Sequence, residues 1–461
     1  MFTGALTLLL AWGVFAFGAV YPWAYWPLLA GAFAIGVAAL LTRRDEGAVP
    51  VGLCAALAAT AAGVAAQLIP LPVGVLSALT PATVGLLRRF DLVFAAGSAT
   101  HPLTIDPSAT AVTLACLVVL TVLLIGATQM FSSTGVRSIG AAICILGTIV
   151  ALVTIVQRAV NHTDRIYGLW MPEQSRSFYG PFVNKNHFAG WMIMAMSVAL
   201  AYFGGRLART PRNAKRGWRE ALLWWSSPAA NELLLIAFAL VVMGISLLMS
   251  VSRSGVLCAL LAIGVTALTI ARRQASRARK MVGIGFLAFT VVAVAGWVGT
   301  EAIGKRFAGA DAEWSGGRGR VGAWADAWSV VRAVPLTGTG MNTYGDAMLF
   351  YQRHVTAVHF AQAHNDYLQI AAEGGLLVLV PAAIAVALLI VHVRRRFAAD
   401  DPRSMSYWVR IGAATGLVAI ALQEAVDFSL QMPGNALLFT VLCAIALHRP
   451  RIRSHTHVHA A

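Results

Sequence analysis

The stretch LLLIAFALVVMGISLLMSVSRSGVLCALLAIGVTALTIARR, residues 233–273, consists of two long apolar runs separated by a short polar turn. Each run is close to the roughly 20 residues that an α-helix needs to cross the hydrocarbon core of a bilayer. The turn SVSRSG, residues 250–255, leaves no room for a soluble segment between the two runs. This stretch therefore predicts two antiparallel transmembrane helices.

The same pattern is repeated along the chain of 461 residues, of which 58% are hydrophobic and only 12% are charged. The mean hydropathy is +0.73, whereas a soluble globular domain carries about 25% charged residues. We therefore predict an all-α fold, a polytopic bundle of transmembrane helices. Twelve spans are expected, over residues 3–20, 26–41, 50–69, 109–131, 138–157, 186–205, 232–250, 254–271, 281–299, 376–393, 406–424 and 434–448.

The net charge of +16 is concentrated in short connections between the predicted spans. The runs RLARTPRNAKRGWRE (206–220), RRQASRARK (272–280) and RRR (394–396) fall on one side of the membrane. The positive-inside rule makes this side cytoplasmic, so both termini are expected in the cytoplasm and anionic membrane lipid is the expected partner of these loops. The charge gives no reason to expect a nucleic-acid partner.

Three long polar segments are predicted on the opposite, outer side: residues 70–108, 158–185 and 300–375. A loop as long as the third is usually functional. We divide the chain into a transmembrane bundle with short and medium loops, a large and partly helical outer loop, and C-terminal helices with a basic tail. These parts cover residues 1–299, 300–375 and 376–461.

No metal site is expected from the cysteines, because all five lie in apolar runs at spacings that suit neither a metal nor a disulfide framework. The tail HRPRIRSHTHVHAA, residues 448–461, has histidines at alternate positions. A metal site there is the weaker interpretation, and a disordered cytoplasmic end is the stronger one.

Two arginines lie at predicted outer boundaries. Arg320, Trp324 and Trp328 repeat at intervals of four and share one face of a helix that is expected to end before Pro335. Spacing alone favours an interfacial helix with Arg320 reaching the headgroups, and the alternative is an anion ligand held by the indoles. Arg253, in SVSRSG, either reaches the headgroups or binds an anion together with the N-terminal amides of the next helix.

The stretch HFAQAHNDYLQIAAEGG, residues 359–375, is polar and has helical spacing. It predicts His364, Tyr367 and Leu368 on one face of a helix that ends at its glycine pair. A lone histidine on such a face is more often structural than catalytic. Because His364 shares the outer side with several cations, we expect it to accept a proton while the cations hold an anion.

The expected anion is a substrate that brings its own negative charge. The outer segments contain no DxD sequence to hold a divalent ion against a diphosphate, so arginines would have to bind it. A lipid-linked diphosphate sugar fits this description. Its transfer needs a base for an acceptor hydroxyl and cations for the leaving diphosphate.

Several motifs together resemble the O-antigen ligase and O-antigen polymerase superfamily of bacterial inner membranes, from about residue 110 to 448. They are FVNKNHFAGW (182–191), SVSRSG, GRVGAW (319–324), VPLTGTGMNTYG (334–345), HNDYLQIAAEGG (364–375) and VDFSLQMPGNALLF (426–439). The resemblance implies a metal-independent, cofactor-free, inverting glycosyltransferase with a large periplasmic loop. It further implies transfer of a glycan from undecaprenyl diphosphate to an acceptor hydroxyl.

The resemblance also implies roles for individual residues. His364 matches the general base, and Arg253 and Arg320 match two essential arginines that would bind the diphosphate. Arg318 competes with Arg320, but Arg320 keeps the spacing of four to Trp324. A role is also implied for Asp427, whose alternative is a cap or a loop anchor.

Other polar residues of the outer side are expected to contact the glycan or the phosphates. Arg176, Asn184 and Lys185 lie in the second outer segment, and Asn186 directly follows it. Asn365, Asp366 and Tyr367 would orient His364 or bind sugar, and the alternative for these helix residues is local hydrogen bonding.

The chemistry of the resemblance leaves the acceptor open. We favour a ligase that uses lipid A–core, and the alternatives are a polysaccharide polymerase or a protein O-oligosaccharyltransferase. From other classes, the alternatives are a transporter with Glu424 and Asp427 as a proton relay and a non-catalytic glycan-binding subunit. The scarcity of charges within the spans argues against a transporter.

Overall fold

The computed structural model of the chain describes residues 1–42, 49–160, 165–172, 178–209, 226–273, 320–354, 359–398 and 404–449, with single positions between 277 and 292. Within these ranges, sixteen helices account for nearly all regular structure. The described strands are β1 (Leu71–Pro72) and β2 (Thr100–His101), which pair antiparallel. The predicted all-α class is confirmed.

Eleven helices coincide with predicted spans. They are α1 (Phe2–Phe15), α2 (Pro22–Leu41), α3 (Val51–Ala66), α7 (Pro107–Met130), α8 (Ser133–Val160), α9 (Lys185–Arg209), α10 (Pro228–Met249), α11 (Arg253–Arg273), α14 (Asp366–Ala398), α15 (Met405–Gln423) and α16 (Pro433–Ala446). Eight of these are long and apolar enough to cross a membrane, and α1, α3 and α16 are shorter apolar helices. The predicted span at 281–299 falls almost entirely outside the described residues.

Helix α9 lies at the centre of the bundle, and it is buried along its whole apolar window. Its neighbour α15 approaches closely at Gly412, where a Cβ would lie 2.7 Å from the Cα of Val198. Helices α2 and α7 make a similar contact, because a Cβ on Gly36 would lie 2.9 Å from the backbone nitrogen of Leu123. Such close packing at small residues drives association of helices in lipid, where the hydrophobic effect between helices is absent.

The predicted outer segments converge at one end of the bundle, which we call the site end. The amide of Gln67, after α3, donates to the carbonyl of Thr337 at 2.8 Å. The amide of Gln423, at the end of α15, donates to the carbonyl of Asn186 at 3.1 Å. Segment 70–108 folds into short elements: α4 (Val73–Leu79), α5 (Pro81–Phe90), α6 (Leu92–Ala95) and the two strands.

The described part of segment 300–375 contains α12 (Arg320–Ala333), α13 (Tyr344–Tyr351) and the start of α14. Helix α12 ends at Ala333, before Pro335, as predicted. Helix α14 continues past residue 375, with a break at Gly375, where φ is +54°.

The expectation that His364 shares a helix face with Tyr367 and Leu368 is wrong. Helix α14 begins only at Asp366, and His364 precedes it with φ at +52°. The side-chain oxygen of Asn365 accepts the backbone N–H of Leu368 at 3.0 Å, which is the contact of an N-cap residue. Because the cap starts the helix at this point, His364 remains in the preceding loop.

Candidate active site

His364 lies partly buried at the site end, between two aromatic rings. Its imidazole meets Phe428 edge-on at 4.9 Å between ring centroids and Phe360 at 6.2 Å. Burial, together with the smaller contribution of the nearby charge of Arg320, lowers the pKa of His364 to about 4. The imidazole is therefore neutral at physiological pH and able to accept a proton.

Arg320, the first residue of α12, reaches the loop between α15 and α16. Its Nη1 donates to the carbonyl of Val426 at 2.6 Å. The next residue, Asp427, is fully buried, and its Oδ1 accepts the N–H of Phe428 at 2.9 Å. Burial raises the pKa of Asp427 to about 6, although the positive charge of Arg320 opposes the increase.

The structure thus brings together three predicted site residues: Arg320, His364 and Asp427. The first and the last of these are more than 100 residues apart in the sequence. An imidazole, a guanidinium and a carboxyl group meet at one end of the bundle. This combination can take a proton from a hydroxyl, hold an anion and stabilise the protonated imidazole.

A pair of acidic residues, Asp366 and Glu424, borders this group. The backbone N–H of Asp366 donates to the carbonyl of Glu424 at 2.9 Å, and the Oδ1 of Asp366 accepts from the side chain of Gln431 at 2.6 Å. Both carboxylates are buried. Tyr367 points towards α15, where its hydroxyl donates to the carbonyl of Ala421 at 2.6 Å.

The N-terminus of α9 lies next to the same loop. Asn184 accepts the N–H of Asn186 at 2.9 Å through its side-chain oxygen, and Lys185 is the first residue of the helix. The carbonyl of Asn186 accepts from the Ser429 hydroxyl at 3.2 Å. Helix α9 therefore presents its positive N-terminal end to the loop that carries Asp427.

Arg253 begins α11, two residues after Val251, whose φ is +52°. Half a turn further, a Cβ on Gly255 would lie 2.6 Å from that of Ala189, so this helix start packs against the first turns of α9. Arg253 is thus at the site end. Arg176 and Arg318 lie outside the described residues.

His187 is a residue of this site that the sequence analysis did not single out. It is 3% exposed, and its ring meets Phe428 edge-on at 4.7 Å. Neither ring nitrogen has a hydrogen-bond partner. The available signal was its position in the first turn of α9, in FVNKNHFAGW, but burial against Phe428 depends on a loop about 240 residues away.

The described residues contain no group of three or more histidine, cysteine, aspartate or glutamate side chains placed to hold a metal ion. A sequence model of the family described as O-antigen ligase matches residues 238–383. The matched segment includes Arg253, Arg320 and His364, while Asp427 and the start of α9 lie outside it. No curated protein matches the chain.

Proposed function

We propose that this chain, whose residues 238–383 match a model of the O-antigen ligase family, is an inverting glycosyltransferase. It would move a glycan from a lipid-linked diphosphate to an acceptor hydroxyl. The observation that carries this proposal is the meeting of neutral His364 with Arg320 and Asp427 at one end of an apolar helix bundle.

The proposed reaction is a single displacement. His364 takes the proton of the acceptor hydroxyl, and the oxygen attacks the anomeric carbon of the donor. The bond from that carbon to the diphosphate breaks, and the diphosphate leaves with the electron pair. Arg320 and Arg253 stabilise the charge on the leaving group, and attack from the opposite side inverts the anomeric centre.

The charges of the site favour this sequence of events. An anionic diphosphate bound at Arg320 would offset the charge that helps to lower the pKa of His364. His364 would then hold a proton more readily when the donor is bound, which brings it closer to the ideal pKa of a general base. Buried Asp427 would stabilise the imidazolium that forms.

For the substrates we propose undecaprenyl-diphosphate-linked glycan as donor and lipid A–core as acceptor, at the periplasmic face of the bacterial inner membrane. Both termini would then be cytoplasmic. Transfer to the next repeat of a polysaccharide or to a protein hydroxyl would use the same groups. Glu424 follows the end of α15, and Asp427 lies in the loop beyond it. Both acidic residues are thus at the end of the bundle, which favours glycan transfer there over a transporter with a proton relay at mid-membrane.

The decisive experiment measures glycan transfer by purified protein in EDTA, with undecaprenyl-diphosphate-linked glycan and lipid A–core. His364→Ala, Arg253→Ala and Arg320→Ala should abolish transfer without loss of folding. Arg332→Ala is the matched control, because Arg332 lies on the same helix as Arg320 and stacks on Trp328 at 5.8 Å. Long polymers instead of ligation would identify a polymerase, and full activity of His364→Ala would refute the assignment of the base.

A further inference from the structure

The backbone conformation of His364 requires an external restraint. Its φ of +52° lies in the left-handed region, which residues with a Cβ rarely adopt. Such a conformation persists only where the surrounding structure holds it, and such residues are concentrated at functional sites.

Hydrogen bonds fix the backbone on both sides of His364. The N–H of Ala363 donates to the Oε1 of Gln369 at 2.9 Å, and the carbonyl of Ala363 accepts from the indole of Trp324 at 3.0 Å. On the other side, the N–H of Asp366 is held by the carbonyl of Glu424. The loop of His364 is therefore tied to α12, α14 and α15.

Gln369 is itself held in one orientation. It is 2% exposed, and its Nε2 donates to the Oε1 of Glu373 at 3.0 Å. Glu373 also accepts the backbone N–H groups of Asn342 and Tyr344, each at 2.9 Å. Because this carboxylate accepts hydrogen bonds, the NH₂ group of Gln369 must face it, which turns Oε1 towards Ala363.

We propose that Trp324 and Gln369, the latter supported by Glu373, are positioning residues that hold His364 in its left-handed conformation. This inference rests on the proposed function. Both side chains act on the backbone of Ala363, so they would set the rate of proton removal and leave the binding of donor and acceptor unchanged.

Substitution of the two residues should separate kcat from KM. Gln369→Met keeps the length of the side chain but removes both polar groups, and Trp324→Phe removes the indole donor. Misplacement of a catalytic group by about 1 Å costs roughly 100-fold in rate. We expect kcat to fall about 10- to 100-fold in each variant, with both KM values within about 2-fold.

The pH profile should change in a way that a general loss of stability would not produce. Activity requires neutral His364, so it falls on the acidic side as this group is protonated. Release of the loop would expose the imidazole to water, and its pKa would return from about 4 towards the ordinary 6.5. The acidic limb of kcat/KM should therefore move to higher pH in Gln369→Met and in Trp324→Phe.

Gln369→Glu tests the partner of Gln369. The new carboxylate can still accept the N–H of Ala363, but it places two carboxylates against each other at Glu373. We expect kcat to be severely reduced, and a wild-type kcat would argue against the Glu373 support.

Tyr179→Phe is the matched control, because it removes another hydrogen bond at the site end, from Tyr179 to the carbonyl of Ser246 at 2.9 Å. Its kcat and pH profile should equal those of the wild type. If His364→Ala is inactive but Gln369→Met and Trp324→Phe keep wild-type kcat and pH profiles, the positioning role is wrong. If Gln369→Met fails to fold, Trp324→Phe decides alone. An inactive wild type, or a fully active His364→Ala, would refute the proposed function itself.

Discussion

The two ends of the bundle bury charged side chains in different ways. At the site end, polar groups from several connecting segments converge on His364 and Phe428. At the opposite end, Arg410 is fully buried, its Nη2 donates to the carbonyl of Ala446 at 3.3 Å, and its guanidinium lies 4.5 Å from the ring centre of Phe397. There a cation satisfies a helix C-terminus and stacks on an aromatic ring, which is a structural arrangement.

The backbone shows the same contrast. Within the described ranges, every non-glycine residue with positive φ lies at the site end: Phe17, Ala19, Tyr167, Val251, Asn342 and His364. Each such conformation costs about 1–3 kcal/mol. Burial of a charge is thus common to both ends, but backbone strain next to converging charges distinguishes the end that we assign to catalysis.

Among substitutions that test this difference between the two ends, we expect Asp427→Asn to have the largest effect on kcat. The change keeps the shape of a fully buried side chain but removes the negative charge beside Arg320 and His364. Loss of one preorganised electrostatic group costs about 10²–10³ in kcat, so we expect a decrease of about 10²-fold, measured as initial transfer rate at saturating donor.

Asp346→Asn is the control for this change, because Asp346 lies on α13 at the same end and is exposed. It should leave the rate unchanged. If Asp427→Asn transfers glycan at the wild-type rate, the carboxylate is a loop anchor, and the site reduces to His364 and the arginines.

A smaller and different effect is expected from Arg410→Ala at the opposite end. The change removes the hydrogen bond to Ala446 and the packing on Phe397, so the free energy of unfolding should fall by about 1–3 kcal/mol. Transfer per folded molecule should remain at the wild-type level. Thermal unfolding measures the loss of stability, and the transfer rate per folded molecule measures activity. A loss of activity in folded Arg410→Ala would contradict the assignment of turnover to the site end alone.

The sequence predicted the bundle well because long apolar runs have one stable structure in lipid, and eleven of the expected spans coincide with helices. Helix α12 was also predictable, because its period of four and Pro335 fix its face and its end. The site was predictable only as a set of residues on one side. Whether polar groups meet is decided by loop packing, which is why Glu373, Gln369 and His187 received no role from sequence alone.

The loop of His364 shows the limit most clearly. Helical spacing extends through HNDYLQ, and the sequence does not reveal whether the helix begins before or after the histidine. The cap at Asn365 and the hydrogen bonds to Ala363 decide the question, and the latter come from side chains 39 residues upstream and 6 residues downstream.

The last expected effect is the dependence of stability on pH, which is similar in size to the effect of Arg410→Ala, and its control compares a histidine at each end. Burial lowers the pKa of His364 to about 4. Between about pH 6.5 and pH 4, the unfolded chain therefore binds a proton at this residue, whereas the folded protein does not. The stability contributed by neutral His364 is therefore complete above pH 6.5 and is lost as the pH falls towards 4. Since the side chain is partly exposed, we expect a loss of about 1–3 kcal/mol.

Thermal unfolding at pH 7.5 and at pH 4.5 tests this contribution. His364→Gln should lose less stability on acidification than the wild type, and it should be inactive at both values. His448→Gln, at the opposite end beside Ser133 at 3.4 Å, should remain active at pH 7.5. Because the two substitutions are chemically identical, a common loss of activity would mean that both ends contribute to turnover, whereas loss in His364→Gln alone would assign turnover to the site end.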